Sequence, residues 1–251
     1  MGEAVHAALL VATGVAAGLA GAVTGVASLV AYPGLLAFGL APVSANVTST
    51  VANVFGGIGS SVSSGPELAG QADRVRRLAV LAAVGALLGA VLLLATPTDV
   101  FTRVVPAFIA VASLAVFLRP HPARRAGAVT GPDPLQLPAA TFALGVYAGY
   151  FGAAAGTAMV ALLLYITGET VPRANGVKNV TFLCANTVAA AAFALFGPVS
   201  WLTVLPLAAG FLLGGRMGPP VMRRMPVRVL RPLIALCGLA LAVRLGLSAW
   251  G

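Results

Sequence analysis

The chain is poor in charge. Only 8% of its 251 residues are charged, whereas 59% are hydrophobic and the mean hydropathy is +1.00. Soluble globular domains carry about 25% charged residues. Runs of roughly 20 apolar residues, the length that a helix needs to cross a bilayer, recur from end to end. The composition therefore predicts an all-α polytopic membrane protein. The first run lacks the basic start of a signal peptide, so we expect it to belong to the membrane domain.

Cysteine and histidine are scarce as well. The two cysteines, Cys184 and Cys237, each lie inside an apolar run, and the sequence has no CxxC motif or Cys/His cluster. This pattern argues against a disulfide scaffold and against a metal site. His6 and His121 fall near a terminus and in a loop, as solvated residues do. Because no nucleophile and base, metal cluster or carboxylate pair lies at membrane depth, we expect no enzyme activity, no catalytic residue and no cofactor.

Acidic side chains are absent from the interior of every apolar run. Carboxylates inside a membrane mark cation pathways and proton relays, so their absence argues against a cation transporter. Coupling to protons would have to use Glu169, Asp99 or the substrate itself. All six acidic residues are terminal, loop or turn residues: Glu3, Glu67, Asp73, Asp99, Asp133 and Glu169.

Lysine occurs once, whereas arginine accounts for most of the net charge of +9. The arginines form short clusters between apolar runs, where they set membrane topology rather than bind nucleic acid. Lys178 lies about one to two turns inside its run. Its side chain either extends to the cytoplasmic interface as an anchor or supplies positive charge for an anion at a cytoplasmic vestibule.

Two patterns are present twice in the chain. Glycines at positions 14, 18, 21 and 25 return in the same register at positions 145, 149, 152 and 156. Residues 46–53 resemble residues 179–186, with Asn, Val, Thr, Ala and Asn coinciding. Glycine allows a close approach of another backbone and allows a helix to break. We therefore interpret the two glycine stretches as the paired centres of an internal repeat.

A basic, proline-rich linker separates the two halves. In each half an interrupted apolar segment precedes three spans, and the interruptions fall at residues 21–25, at Tyr32-Pro33-Gly34 and at residues 149–156. The predicted first repeat covers residues 1–119, with a hairpin at 4–41 and spans at 43–64, 78–96 and 104–118. A cytoplasmic linker covers residues 120–137. The predicted second repeat covers residues 138–251, with a hairpin at 138–170 and spans at 174–196, 200–215 and 233–249.

The arginine clusters predict that the halves are inverted relative to each other. The positive-inside rule places residues 74–77, 119–125 and 216–231 in the cytoplasm, so spans 43–64 and 174–196 run in opposite directions. Each hairpin must leave and return on one side, and arms of about 13–16 residues measure only about 20–24 Å. This predicts re-entrant-type helical hairpins, as in secondary transporters. The alternative of eight plain spans would place the last cluster outside.

The predicted binding site lies where the two hairpin tips meet near the bilayer midplane. Helices that restart after a glycine break direct N–H groups and positive dipole ends to this point, which suits an anion; alternatively, the glycines serve close packing alone. The polar faces of two spans either line the same cavity or hydrogen-bond to each other. The candidate substrate-binding residues are Gly21, Thr24, Gly25, Ser28, Asn46, Thr50, Asn53, Gly152, Gly156, Thr157, Asn175, Lys178, Asn179 and Asn186.

Three stretches resemble the TauE/SafE sulfite-exporter family. They are residues 32–50, which begin Tyr32-Pro33-Gly34; residues 149–156; and the run Arg173-Ala-Asn175-Gly-Val-Lys178-Asn179. The resemblance covers nearly the whole chain, although the second glycine stretch has alanines where many relatives carry more glycine. It implies a multi-pass protein of the bacterial inner membrane that transports small sulfur-containing anions, such as sulfite, sulfoacetate or other organosulfonates.

The leading hypothesis is a secondary transporter that binds such an anion between the hairpin tips. A passive anion channel and a transporter of another small anion are the alternatives. The expected partners are the small sulfur-containing anion, a coupling proton or ion, and the lipid bilayer.

Overall fold

The computed structural model describes residues 2–117 and 135–224, and this part of the chain contains helices and no strand. The predicted span 233–249, the cysteine at 237, His121 and most of the linker lie outside it. The described helices are α1 (Glu3–Thr24), α2 (Ala27–Ala37), α3 (Pro42–Ser63), α4 (Gly65–Leu68), α5 (Ala72–Ala95), α6 (Thr98–Phe117), α7 (Gln136–Tyr150), α8 (Ala155–Thr167), α9 (Val171–Phe196) and α10 (Trp201–Arg224).

Glycine faces hold the long helices in close pairs. A Cβ on Gly14 or Gly18 of α1 would overlap the backbone of α10, and one on Gly85 or Gly89 of α5 would overlap the backbone of α7. Packing of this closeness depends on small residues, as in many membrane helix pairs. Helix α1 of the first half thus packs on α10 of the second, and α7 of the second half packs on α5 of the first.

The contacts also fix the directions of the helices. Gly14 meets Leu207 and Gly18 meets Phe211, so α1 and α10 are parallel. The same reasoning makes α3 parallel to α10 and α5 parallel to α7.

Helices α3 and α9 are antiparallel. Asn179 near the start of α9 donates a hydrogen bond to Ser64 Oγ just after α3, at 3.1 Å. The backbone N–H of Ser200, after the end of α9, donates to Thr48 Oγ1 near the start of α3, at 3.0 Å. Arg74 at the start of α5 donates a hydrogen bond to Glu169 just before α9, so these two helices begin at the same end of the bundle and are parallel. Helices α1, α3 and α10 therefore run one way, and α5, α7 and α9 run the other.

Two short helices reverse the chain between parallel neighbours. Because α1 and α3 run in one direction, the 11-residue α2 runs back between them. The 13-residue α8 does the same between α7 and α9. The 15-residue α7 has the length expected of an arm of the hairpin 138–170, whereas α1, in the hairpin 4–41, has 22 residues. The additional residues of α1 lie in its N-terminal part, which is exposed. The apolar pattern of the sequence does not distinguish this part from the buried part of the helix.

The predicted interruption at Tyr32-Pro33-Gly34 is wrong. Helix α2 continues through Pro33 and ends at Ala37, before Gly39 in the left-handed conformation with a φ of 86°. Proline breaks a helix mainly through the lost N–H and a clash one turn earlier, and both are tolerated where neighbouring helices compensate. Gly34 meets the γ-methyl group of Thr13 on α1, which shows that it serves helix packing here.

Several helices extend beyond the predicted spans on the arginine-rich side. The span expected at 78–96 begins at Ala72, the one expected at 174–196 begins at Val171, and the one expected at 200–215 continues to Arg224. The span expected at 104–118 begins at Thr98, at the opposite end of the bundle, and α7 takes in the last two residues of the expected linker. Arginine favours helix formation, so a helix can continue through arginines beyond the boundary that hydropathy predicts for the span.

Four of the described helices, α1, α5, α9 and α10, are long and apolar enough to cross a membrane. Helix α3 has 22 residues, as many as α1, but its asparagines, serines and threonines make it less apolar. These polar residues face the centre of the bundle, where the candidate site lies.

Candidate functional site

Two helix breaks, one from each half, touch at the centre of the bundle. A Cβ on Gly25 would overlap the backbone of Gly156 and Thr157, and a Cβ on Gly156 would overlap Gly25. The hydroxyl of Thr157 donates to the carbonyl oxygen of Thr24. The glycines of the duplicated pattern therefore bring the two breaks into direct backbone contact.

Each break is formed by residues in the left-handed conformation. Gly25 has a φ of 79° and its N–H donates to Gly21 O at 2.9 Å, which ends α1. In the second break, Gly152 has a φ of 72° and its N–H donates to Tyr147 O at 2.9 Å. Ala154 has a φ of 57° and precedes α8. A left-handed alanine is strained, so the second break carries a cost that glycine would remove.

A cavity of about 70 Å³ lies beside the paired breaks, between α3 and α9. A water molecule needs roughly 10–15 Å³ of such space, so the cavity has room for a small ion of a few heavy atoms. Ten of the sequence-predicted residues line it: Gly21, Gly25, Ser28, Thr50, Asn53, Gly152, Gly156, Lys178, Asn179 and Asn186.

The other four predicted residues lie next to the cavity and hold helix ends in place. Asn46 donates to Tyr150 O, the end of α7, at 3.0 Å. Asn175 donates to Ala22 O, near the end of α1, at 2.7 Å. The hydroxyl of Thr24 bonds within α1, and Thr157 bonds to Thr24. The side chains of Asn46, Asn175 and Thr157 thus satisfy carbonyl groups that a helix C-terminus leaves without a partner.

Lys178 points into the bundle and not to the interface. Its side chain is buried, with 3% of the residue exposed, and Nζ lies 2.8 Å from Gly21 O and 3.3 Å from Ala22 O. The snorkelling alternative for this lysine is therefore wrong. The ammonium group sits at the negative end of the α1 dipole, and one of its three N–H donors has no partner within residues 2–117 and 135–224. No carboxylate lines the cavity among the described residues.

Sequence reasoning missed several residues of the cavity wall. Ser49, Gly56 and Ser60 continue the polar face of α3, at helical spacing from Thr50 and Asn53. Ser49 and Gly56 lie one helical turn from Asn53 and Ser60 lies two turns from it, so following the polar face of α3 to the end of the helix would have found them. The remaining lining residues outside the candidate set are Gly18, Ala22, Ala27, Gly57, Ala148, Phe151, Phe182 and Leu183.

Ion pairs join the helices at the arginine-rich end. Glu67 after α3 accepts two hydrogen bonds from Arg223 of α10, at 2.7 and 2.9 Å. Glu169 before α9 accepts from Arg74 of α5 at 2.9 Å and from Arg173 at 2.8 Å. The hydrogen bond from Arg223 lowers the pKa of Glu67, and the bond from Arg74 lowers that of Glu169. Glu169 is thus held ionised, which disfavours it as a proton carrier near neutral pH.

The profile of the sulfite exporter TauE/SafE family matches residues 10–245. The chain belongs to this family. The resemblance in the glycine and asparagine stretches is therefore confirmed, and the family identifies a membrane transporter rather than an enzyme.

Relatives of this TauE/SafE chain have similar names. It is 25% identical to the probable membrane transporter protein ORF9 of Sinorhizobium sp over 233 residues, 91% of this chain and 88% of that one. It is 25% identical to the probable membrane transporter protein YfcA of Escherichia coli K12 over 238 residues, 91% of this chain and 85% of that one. A probable membrane transporter protein of Haemophilus influenzae is 23% identical over 243 residues, 95% of this chain and 93% of that one. No solved structure matches the chain significantly.

Proposed function

We propose that this TauE/SafE chain is a secondary transporter of a small sulfur-containing anion, such as sulfite or an organosulfonate, in the bacterial inner membrane. The observation that carries the proposal is the buried ammonium of Lys178 beside the paired helix breaks. A buried charge is costly unless it is paired, and here its described partners are two carbonyl oxygens. An anion in the cavity would supply the missing opposite charge.

The rest of the cavity wall fits an anion. Asn53, Asn186 and Ser28 present amide and hydroxyl donors, and no carboxylate among the described lining residues would repel a negative charge. Helices α2 and α8 begin beside the cavity, and the first N–H groups of a helix attract anions. Uncharged donors combined with a single cation suit a small oxyanion better than a metal ion or an apolar ligand.

The helix directions support an inverted architecture. Corresponding helices α3 and α9 are antiparallel, and α1 and α7 belong to groups of opposite direction. With the arginine-rich end in the cytoplasm, the α1–α2 pair would enter from outside and the α7–α8 pair from inside. Such inverted hairpins with a midplane site are a general plan of secondary transporters.

Alternating access also needs a barrier on one side of the site. Between the cavity and the arginine-rich end, Asn179 bonds to Ser64, and Gly176 packs against Glu67, which is paired with Arg223. These contacts favour a gated transporter over a permanently open channel.

Flux measurements on proteoliposomes test the proposal. We expect uptake of radiolabelled sulfite that saturates with concentration, is accelerated by sulfite preloaded inside, and is not competed by chloride. Each organosulfonate is then tested as a competitor. Flux that rises linearly, shows no acceleration by internal substrate and extends to chloride would replace the transporter with an anion channel. Transport of a cation but of no anion would overturn both the anion transporter and the anion channel.

A further inference from the structure

The structure assigns a second ligand site, an anionic phospholipid site in a groove at the arginine-rich end of the bundle. The groove has a volume of about 840 Å³ and lies where α5 begins, α7 begins and α8 ends. Its walls include Leu78 and Leu81 of α5, Leu137 of α7 and Ile166 of α8, and its rim carries Arg76 and Arg77. It shares no lining residue with the central cavity.

The rim of the groove is positively charged and incompletely paired. Three arginines and one aspartate line it, so these side chains have a net charge of +2. Arg74 is occupied, because it donates to Glu169 and to Gln71. Arg76 lies 3.8 Å from Asp73, and both side chains are at least 80% exposed, so this contact is weak. Arg77 is exposed and makes no hydrogen bond or ion pair within residues 2–117 and 135–224.

The two available guanidinium groups match the chemistry of a lipid phosphate. Arginine binds phosphate with two parallel N–H bonds, which gives strong contacts of defined geometry. Basic pockets between membrane helices on the cytoplasmic side are typical sites for anionic lipid headgroups. Arg76 and Arg77 therefore supply the headgroup part of the proposed site.

The apolar walls distinguish a lipid from a soluble phosphate. Directly after the arginines, α5 becomes apolar and exposes Val80, Val84 and Leu88 at helical spacing. This stripe continues from the groove towards the middle of the membrane span. A phospholipid would place its phosphate at the arginines and its acyl chain along the stripe, whereas a soluble phosphate would leave the apolar walls uncovered.

Lipid retention by the full-length protein tests the assignment. We would purify the chain in detergent with phosphatidylglycerol and phosphatidylcholine of identical acyl chains, and measure bound lipid by native mass spectrometry. We expect retention of phosphatidylglycerol over phosphatidylcholine. The Arg76→Gln/Arg77→Gln variant should lower that preference by about tenfold, since each arginine near an anionic lipid surface contributes substantially to binding. Arg224→Gln, which removes an exposed arginine at the same end outside the groove, should leave it unchanged.

A second pair of variants tests the apolar wall without changing charge. Val80→Trp fills the groove, whereas Val62→Trp places the same ring near the end of α3, outside the groove and the apolar stripe; the two valines are exposed at 58% and 70%. We expect Val80→Trp to displace phosphatidylglycerol and Val62→Trp to retain it. Equal retention of the two lipids by the unmodified chain would overturn the assignment. An unchanged preference in both Val80→Trp and the arginine variant would also overturn it, because lipid would then bind elsewhere.

Discussion

The Nζ atom of Lys178 lies 2.8 Å from the carbonyl oxygen of Gly21, although the two residues are 157 positions apart. The bond ties the second repeat to the end of α1 in the first. It places a positive charge where both helix breaks meet, and the cavity opens beside it.

Replacing Lys178 with methionine should weaken anion binding and lower the stability of the fold only modestly. Methionine has a similar length, so it fills the same space but lacks the ammonium group. A hydrogen bond to a charged group contributes about 1.5–3 kcal/mol, so we expect the Kd for the bound anion to rise about 10-fold to 100-fold. The measurement is the shift in melting temperature with added sulfite.

Arg224→Gln removes a positive charge far from the cavity and is the control for net charge. If Lys178→Met melts at a similar temperature and still gains full stabilisation from sulfite, Lys178 is not a ligand.

Adding a methyl group at Gly25 should be far more damaging than adding one at Gly39. Both glycines have positive φ, 79° and 86°, so alanine is strained at each. Only at Gly25 does the new Cβ overlap another backbone, that of Gly156, whereas Gly39 has open space around it. We expect Gly39→Ala to cost about 1 kcal/mol and Gly25→Ala several kcal/mol. Thermal unfolding in detergent compares the two; equal effects would mean that the breaks do not touch.

Ala154→Gly should stabilise the protein. Alanine in the left-handed conformation costs roughly 1–2 kcal/mol, and glycine removes this strain at the expense of about 0.5–1 kcal/mol of added chain entropy in the unfolded state. Ala153→Gly is the matched control, because that neighbouring residue does not have a positive φ. We expect the melting temperature to rise for Ala154→Gly and to fall for Ala153→Gly. A fall for both would show that residue 154 is not strained.

The ion pair between Glu67 and Arg223 should stabilise the arginine-rich end of the bundle, and this stabilisation should depend on pH. The bond from Arg223 lowers the pKa of Glu67 below its usual value of 4.5, so the folded state favours the ionised carboxylate. The stabilisation is therefore complete above pH 4.5 and is lost as pH falls through the lower folded-state pKa. Because the arginine side chain is 40% exposed, we expect a coupling energy of about 1 kcal/mol.

A double-mutant cycle with Glu67→Gln and Arg223→Gln measures this energy at pH 7 and again at low pH. The coupling should be present at pH 7 and shrink in acid. A coupling that is the same at both pH values would contradict an ionic origin. Glu67→Gln should also raise the labelling rate of a cysteine placed at Ser60, if the pair helps to close the arginine-rich side of the cavity.

The sequence by itself determined the membrane class, the duplicated glycine pattern and ten of the residues that line the cavity. These features are local: apolar run length, glycine register and the spacing of asparagines on one helix face each reflect the chemistry of a short stretch. For the same reason Asn53 and Asn186 could be named as facing a common space before any contact was known.

Only the tertiary structure decided what Pro33 and Lys178 do. Hydropathy treats a proline as a break and a lone lysine as an interfacial residue, but their outcomes depend on neighbours distant in the chain. Helix α2 continues through Pro33 and packs its Gly34 against Thr13 of α1, and the carbonyl groups at the end of α1 hold Lys178 inside the bundle. The lysine is held where the two halves meet, because a buried polar group takes the partner that the packed structure provides.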